Sequence, residues 1–268
     1  MFRQPVVAGY FYPAEKDELE DFFSKAKGRN EQAKYNYPKA VIVPHAGYMY
    51  SGKIAFKTLY SINLPDSVLI LGPNHTGQGQ EVAVYPEGAW QTPFGEVKID
   101  EELAHLITMK GVLRKDYLAH RNEHSIEVIL PMLKYLSKDI KVVPVLLKNV
   151  DYEDCLNIAD AILGGIKLYN KDFLVIVSSD FNHYEDSRIT EEKDKKAVDT
   201  ILTLDPKKLY EVVNKNNITM CGIYAAITAI IVSKALGATH AELVGHTHSG
   251  YTSGDYDHVV GYAGVVII

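Results

Sequence analysis

Apolar residues along the chain follow two alternating patterns. Seven runs rich in Val, Ile and Leu read as strands: 40–43, 68–71, 82–85, 142–147, 173–178, 241–244 and 259–268. Most are continuously apolar rather than alternating, the mark of strands covered on both faces. Between them apolar residues recur at helical spacing. In 151–163, Cys155, Ile158, Ala159, Ile162 and Leu163 form one stripe, with Asp151 as the N-cap. Asp205 caps a second helix over 205–213, where Pro206 sits at a position that needs no N–H. Ile223, Ile227, Ile230 and Ile231 mark a third. The stretch 123–136 also has helical period, with Pro131 expected to kink it. The segment 77–100 reads as a short β excursion with a turn over 90–95, and the mixed charges of 191–196 as a solvated helix face. Strands alternating with helices predict one domain over 1–268, a three-layer α/β/α sandwich around a central mixed, largely parallel sheet.

Composition narrows the picture. With 268 residues, 47% of them apolar, the chain can build a sizeable core without disulfides or a structural metal. A formal charge of −6 gives no electrostatic basis for binding nucleic acid or anionic membrane. Two cysteines, Cys155 and Cys221, suggest a reducing compartment. The first residues lack a signal-peptide pattern, and the longest apolar helical run, 223–232, is shorter than the ~20 residues of a bilayer span. A soluble cytoplasmic protein is expected.

Candidate chemistry follows from what lies beyond the strand ends, where open α/β sheets bind ligands. Run 40–43 leads into Pro44-His45-Ala46-Gly47-Tyr48. Run 68–71 leads into Gly72-Pro73-Asn74-His75, and run 173–178 into Ser179-Asp180-Phe181-Asn182-His183. Three buried-type strands each delivering a histidine to one sheet edge suggest a metal or proton-transfer site. Cys155 lies on an apolar helix face and reads as a small core residue. Cys221 stands where the helix of Ile223 begins, and the positive end of a helix favours a thiolate. His124, in Glu123-His124-Ser125-Ile126-Glu127, reads equally as an orienting group, a substrate contact or a capping residue. His246 and His248 line the same edge or belong to a loop; His105, His120, His240 and His258 have no convergent context. Phosphate-binding glycine loops, a nucleophile elbow and paired C-x-x-C motifs are absent from the sequence.

These motifs, with Arg3-Gln4-Pro5, Ala8-Gly9-Tyr10-Phe11-Tyr12-Pro13, Thr92-Pro93-Phe94-Gly95 and Cys221-Gly222, resemble the Memo (mediator of cell motility) family nearly end to end. Through it the chain is similar to the class III, LigB-type extradiol dioxygenases. The resemblance implies a LigB-like sandwich with a mononuclear site whose metal ligands fall on His45, His75 and Cys221. Asp180 and His183 match the polar residues beside it and take catalytic roles, and His124 and Tyr48 become substrate contacts. A third ligand that is a thiolate rather than a carboxylate departs from the dioxygenase pattern; two His and one Cys suit iron or copper, and also zinc. The leading expectation is a metal-dependent redox enzyme acting on a small molecule. Its rivals are a metal-free module that captures a (phospho)peptide on tyrosines such as Tyr10, Tyr12, Tyr48, Tyr50, Tyr184 and Tyr224, and a zinc hydrolase. AMMECR-type and radical SAM proteins are the partners the resemblance implies.

Overall fold

A computed structural model describes residues 2–27 and 34–268. Among them, twelve strands join in one sheet. Its centre is four parallel neighbours in the order Lys141–Leu147, Ser67–Pro73, Leu174–Ser178 and Ala40–Val43. Almost every residue of the four is buried, as continuous apolar runs require when helices cover both faces. On the far side of Ala40–Val43 the sheet turns antiparallel through Val259–Ile267, which also pairs with Ala241–His248 and His183–Glu185. The sheet is therefore mixed and largely parallel, as the pattern predicts.

Helices supply the outer layers of the three-layer α/β/α sandwich. Lys16–Ala26, Lys53–Tyr60 and Leu130–Leu136 pack together, and Glu101–Thr108, Tyr152–Tyr169, Ile223–Ala235 and Pro206–Lys215 pack in succession. Asp151 caps Tyr152–Tyr169 in a capping box with Asp154, and Asp205 caps Pro206–Lys215 through the Lys208 N–H.

Four local expectations change. Trp90 lies inside the strand Ala89–Thr92, leaving only Pro93 and Phe94 to turn the chain into Gly95–Ile99. The 123–136 stretch is not a kinked helix. Its first part is a turn and a short 3-10 helix, Glu127–Ile129, and Pro131 sits in the first turn of Leu130–Leu136, where it breaks no bond. The physical reason is Pro131, which has no N–H for the Glu127 carbonyl and so bars an α-helix running through from upstream, while the Glu123 carboxylate takes the N–H groups of His124 and Ser125 in the preceding turn. His246 and His248 lie in a strand that runs through His248, not in a loop. Finally, Asp194 in the supposedly solvated run 191–196 is fully buried in the helix Ser187–Leu202.

Candidate metal centre

Three of the central parallel strands end side by side, and each places a functional residue two positions beyond its last residue: His45 after Val43, His75 after Pro73, Asp180 after Ser178. Cys221 arrives from the other direction, one residue ahead of Gly222, the N-cap of Ile223–Ala235. Gly222 is what admits it. A Cβ there would stand 2.5 Å from Ser179 Cβ and 2.6 Å from the Ser178 carbonyl oxygen. Without one, the Gly222 N–H reaches Ser179 Oγ at 2.9 Å and the Cys221 sulfur accepts the Asp180 N–H at 3.2 Å.

The ligand atoms of His45, His75 and Cys221 lie within 4.8 Å of one another, and His45 Nε2 is 3.5 Å from the sulfur. Donor economy sets the tautomers. Ser178 donates its only hydroxyl proton to the Ser125 carbonyl at 2.6 Å, so at 2.6 Å from His45 Nδ1 it must accept. His75 Nδ1 lies 2.9 Å from a Glu123 carboxylate oxygen, which only accepts. Each ring therefore carries its proton on Nδ1 and presents the Nε2 lone pair. This orienting arrangement is typical of metal-binding imidazoles.

The electrostatics follow from burial. It holds the His45 ring well below the ordinary histidine range, helped by repulsion from His75 and His124. Burial also pulls on His75, but the Glu123 hydrogen bond and charge, with Asp180, outweigh it and the ring is raised. Glu123 is buried too, yet the His75 ring and the Ser125 N–H bring its carboxyl down to about 2. Burial raises the Asp180 carboxyl against the N–H groups of His45 and Ala46. Burial and the Asp180 charge likewise push the Cys221 thiol up, so the helix terminus alone does not make the thiolate expected from sequence.

Beside these ligands opens a cavity of about 630 Å³, whose lining includes Phe11, Tyr50, His124, His183, Tyr184 and Tyr262 and, among the described residues, no Lys or Arg. His183 is half-buried; its Nδ1 donates to the Thr219 carbonyl at 2.8 Å, so in the neutral ring Nε2 is the bare nitrogen. His124 stacks on His75 at 4.8 Å and touches Phe11.

Residues 3–266 fit the family model for Memo-like proteins. The chain belongs to the Memo family. MEMO1 family proteins of Methanopyrus kandleri and Aquifex aeolicus are each 40% identical to it over 99% of both chains, and one of Saccharolobus solfataricus is 42% identical over 98% of both.

Within this Memo-family chain, the structure brings His45, His75, Cys221, Asp180, His183 and His124 to one cavity. Tyr48 is not brought there. Its ring packs against Tyr12 and Phe22 and its hydroxyl donates to the Val128 carbonyl at 2.8 Å; Tyr50, two residues on, takes the cavity wall. His246 pairs with Asp194 at 2.7 Å, and His248 stacks on Tyr251; neither lines the cavity. Sequence reasoning missed Glu123, Ser178 and Thr219, which hold the rings. Glu123 had a signal, a carboxylate beside His124 in a motif already singled out; Ser178 and Thr219 had none.

Proposed function

We propose that this Memo-family protein binds one transition-metal ion between His45 Nε2, His75 Nε2 and Cys221 Sγ and uses it in redox chemistry on a small molecule held in the cavity. The observation that carries the reading is the pair of imidazoles whose Nδ1 protons are tied down by Ser178 and Glu123, so that both Nε2 lone pairs stand near one sulfur. The donor set fits an ion. Bonds of ~2.1 Å to nitrogen and ~2.3 Å to sulfur at a tetrahedral angle give a ligand edge of about 3.6 Å, and the His45–Cys221 separation is 3.5 Å. Bound iron or copper supplies one-electron chemistry and open coordination positions.

The chain's own residues then divide the remaining work. His183 offers an unprotonated Nε2 at the cavity wall, placed to take or return a proton from a ligand. Asp180 grips the His45 N–H at 2.8 Å with one oxygen, keeping the ring's backbone in place, and its other oxygen faces His45 Nε2 at 3.9 Å. His124 and Phe11 form an aromatic wall, and Tyr50 and Tyr262 line the same cavity. Capture of a phosphopeptide draws no support from this lining, because it holds no Lys or Arg among the described residues to pair with phosphate. Partners of AMMECR or radical SAM type stay with the family resemblance. No helix among the described residues is long and apolar enough to cross a membrane.

Metal analysis with absorption and EPR spectra on anaerobically purified protein tests the proposal. Stoichiometric iron or copper with a thiolate charge-transfer band, lost in Cys221→Ala and His45→Ala, is the expected result. Unchanged metal content in those variants refutes the ligand set, and stoichiometric zinc in a redox-silent site replaces redox chemistry with hydrolysis.

A further inference from the structure

Asn182 lies between Asp180 and His183, fully buried, and has no part in the chemistry described so far. Every hydrogen-bonding group it owns is used. Its Nδ2 donates to Glu185 Oε2 at 2.7 Å and to Thr190 Oγ1 at 3.2 Å. Its Oδ1 accepts the Thr219 N–H at 3.2 Å and lies 3.3 Å from the Thr219 hydroxyl, which donates to it. Its own N–H goes to Asp194 Oδ1 and its carbonyl takes the Gly261 N–H, both at 2.9 Å. The amide orientation is dictated from both sides, because a carboxylate needs the NH₂ and a backbone N–H needs the oxygen.

Thr219 passes this order on. Its hydroxyl proton is committed to Asn182, so its oxygen accepts the His183 N–H at 2.7 Å, and its carbonyl receives His183 Nδ1–H at 2.8 Å. Two residues later the same segment delivers Cys221. The geometry points to Asn182 as a positioning residue: by clamping Thr219 it holds His183 in the form with a bare Nε2 toward the cavity and sets the approach of Cys221. The functional meaning of that clamp rests on the metal-centre reading; the clamp itself does not.

The Asn182–Glu185 contact has a polarity that exchange can invert. In Asn182→Asp a carboxylate oxygen faces Glu185 Oε2, and their repulsion draws the side chain away from Thr219 and loosens its anchor. In Asn182→Asp/Glu185→Gln the new glutamine donates where the asparagine did, and the anchor returns. Thr219→Val, at an exposed position, removes the hydroxyl alone and gives an arm in which folding is not at stake.

Long-range ¹⁵N NMR of the histidines of the full chain, with diamagnetic zinc present and at a pH where imidazole is neutral, reads the tautomer directly. Wild type is expected to show His183 as the Nδ1–H form. Asn182→Asp and Thr219→Val move it toward the Nε2–H form that a free imidazole favours, and the double exchange restores the wild-type signal. Cobalt(II) titration monitored at the thiolate band gives the second readout, with affinity about 10- to 100-fold weaker in Asn182→Asp and regained in the double variant. A wild-type His183 that already mixes tautomers, or variants that keep the Nδ1–H form, overturn the assignment. A wild type with no thiolate band at all removes the metal centre, while the tautomer still decides the role of Asn182.

Discussion

Acidification should destabilise this molecule through the buried ring of His120. The ring is fully buried between Tyr85 and Trp90, with centroids 5.5 Å and 5.8 Å away. Its Nε2–H donates to the Ala83 carbonyl at 3.2 Å, and its Nδ1 has no partner among the described residues. Its own carbonyl holds Arg3 Nε at 2.6 Å, and the Arg3 guanidinium lies 4.0 Å over Trp90. Burial, then repulsion from Arg3, brings the ring down to about 3 from 6.5. In the unfolded chain His120 takes up a proton near pH 6.5, and in the folded chain only near pH 3. Between those values the unfolded state binds more protons, so stability falls as pH falls, by about 1.4 kcal/mol per unit. From pH 7.5 to 4.5 the loss from this one residue comes to about 2.5 kcal/mol. A His120→Gln protein keeps a donor for Ala83 and lacks the titration. Urea unfolding of both proteins across that range is the assay. The wild-type advantage over His120→Gln should shrink by about 2.5 kcal/mol as the solution is acidified. A constant gap would mean that His120 titrates in the native state as in the unfolded chain, a widening one that folding favours the charged ring, and either would refute the argument from burial.

Other expectations follow from single contacts. Arg3→Met breaks a 2.7 Å pair with Glu127 that is almost wholly buried and should cost about 3–5 kcal/mol in urea unfolding, whereas adding Glu127→Gln, which removes the unpaired charge and keeps an oxygen for Val6, Val7 and Tyr12, should recover part of it. Gly261→Ala puts a methyl 1.7 Å from Asp194 Oδ2 and should destabilise by about 1–3 kcal/mol in urea unfolding. Ser178→Ala frees His45 Nδ1 and the buried Ser125 carbonyl and should weaken metal binding about 10- to 100-fold in a cobalt titration. Cys155→Ala should lower stability modestly and leave metal content untouched, in contrast to Cys221→Ala, because Cys155 is fully buried in the core.

The buried network around Arg3 explains why the first residues matter to a site so far along the chain. Arg3 binds the carbonyls of His120 and Glu123 and the Glu127 carboxylate, and Glu127 in turn accepts the N–H groups of Val6 and Val7 and the Tyr12 hydroxyl. The segment that bears Phe11 is thereby fastened to the segment that bears Glu123, which holds His75. The Arg3 and Glu127 links were not readable beforehand, since each joins residues more than a hundred positions apart.

What the chain alone determined was local and periodic. Continuous apolar runs marked the central strands because burial on both faces leaves no polar alternation to see. Asp151 and Asp205 marked helix starts because a cap acts within three residues. His45, His75 and Asp180 were legible because parallel strands put their carboxyl ends on one edge, whatever else the fold does. Tertiary structure decided the rest. Tyr48 faces the core and Tyr50 the cavity because residues two apart in the helical stretch Tyr48–Gly52 point to opposite sides, and Asp194 is buried because Gly261 leaves it space. The tautomers of His45, His75 and His183 depend on Ser178, Glu123 and Thr219, partners chosen by packing between distant segments. Spacing in a sequence carries no record of such pairings.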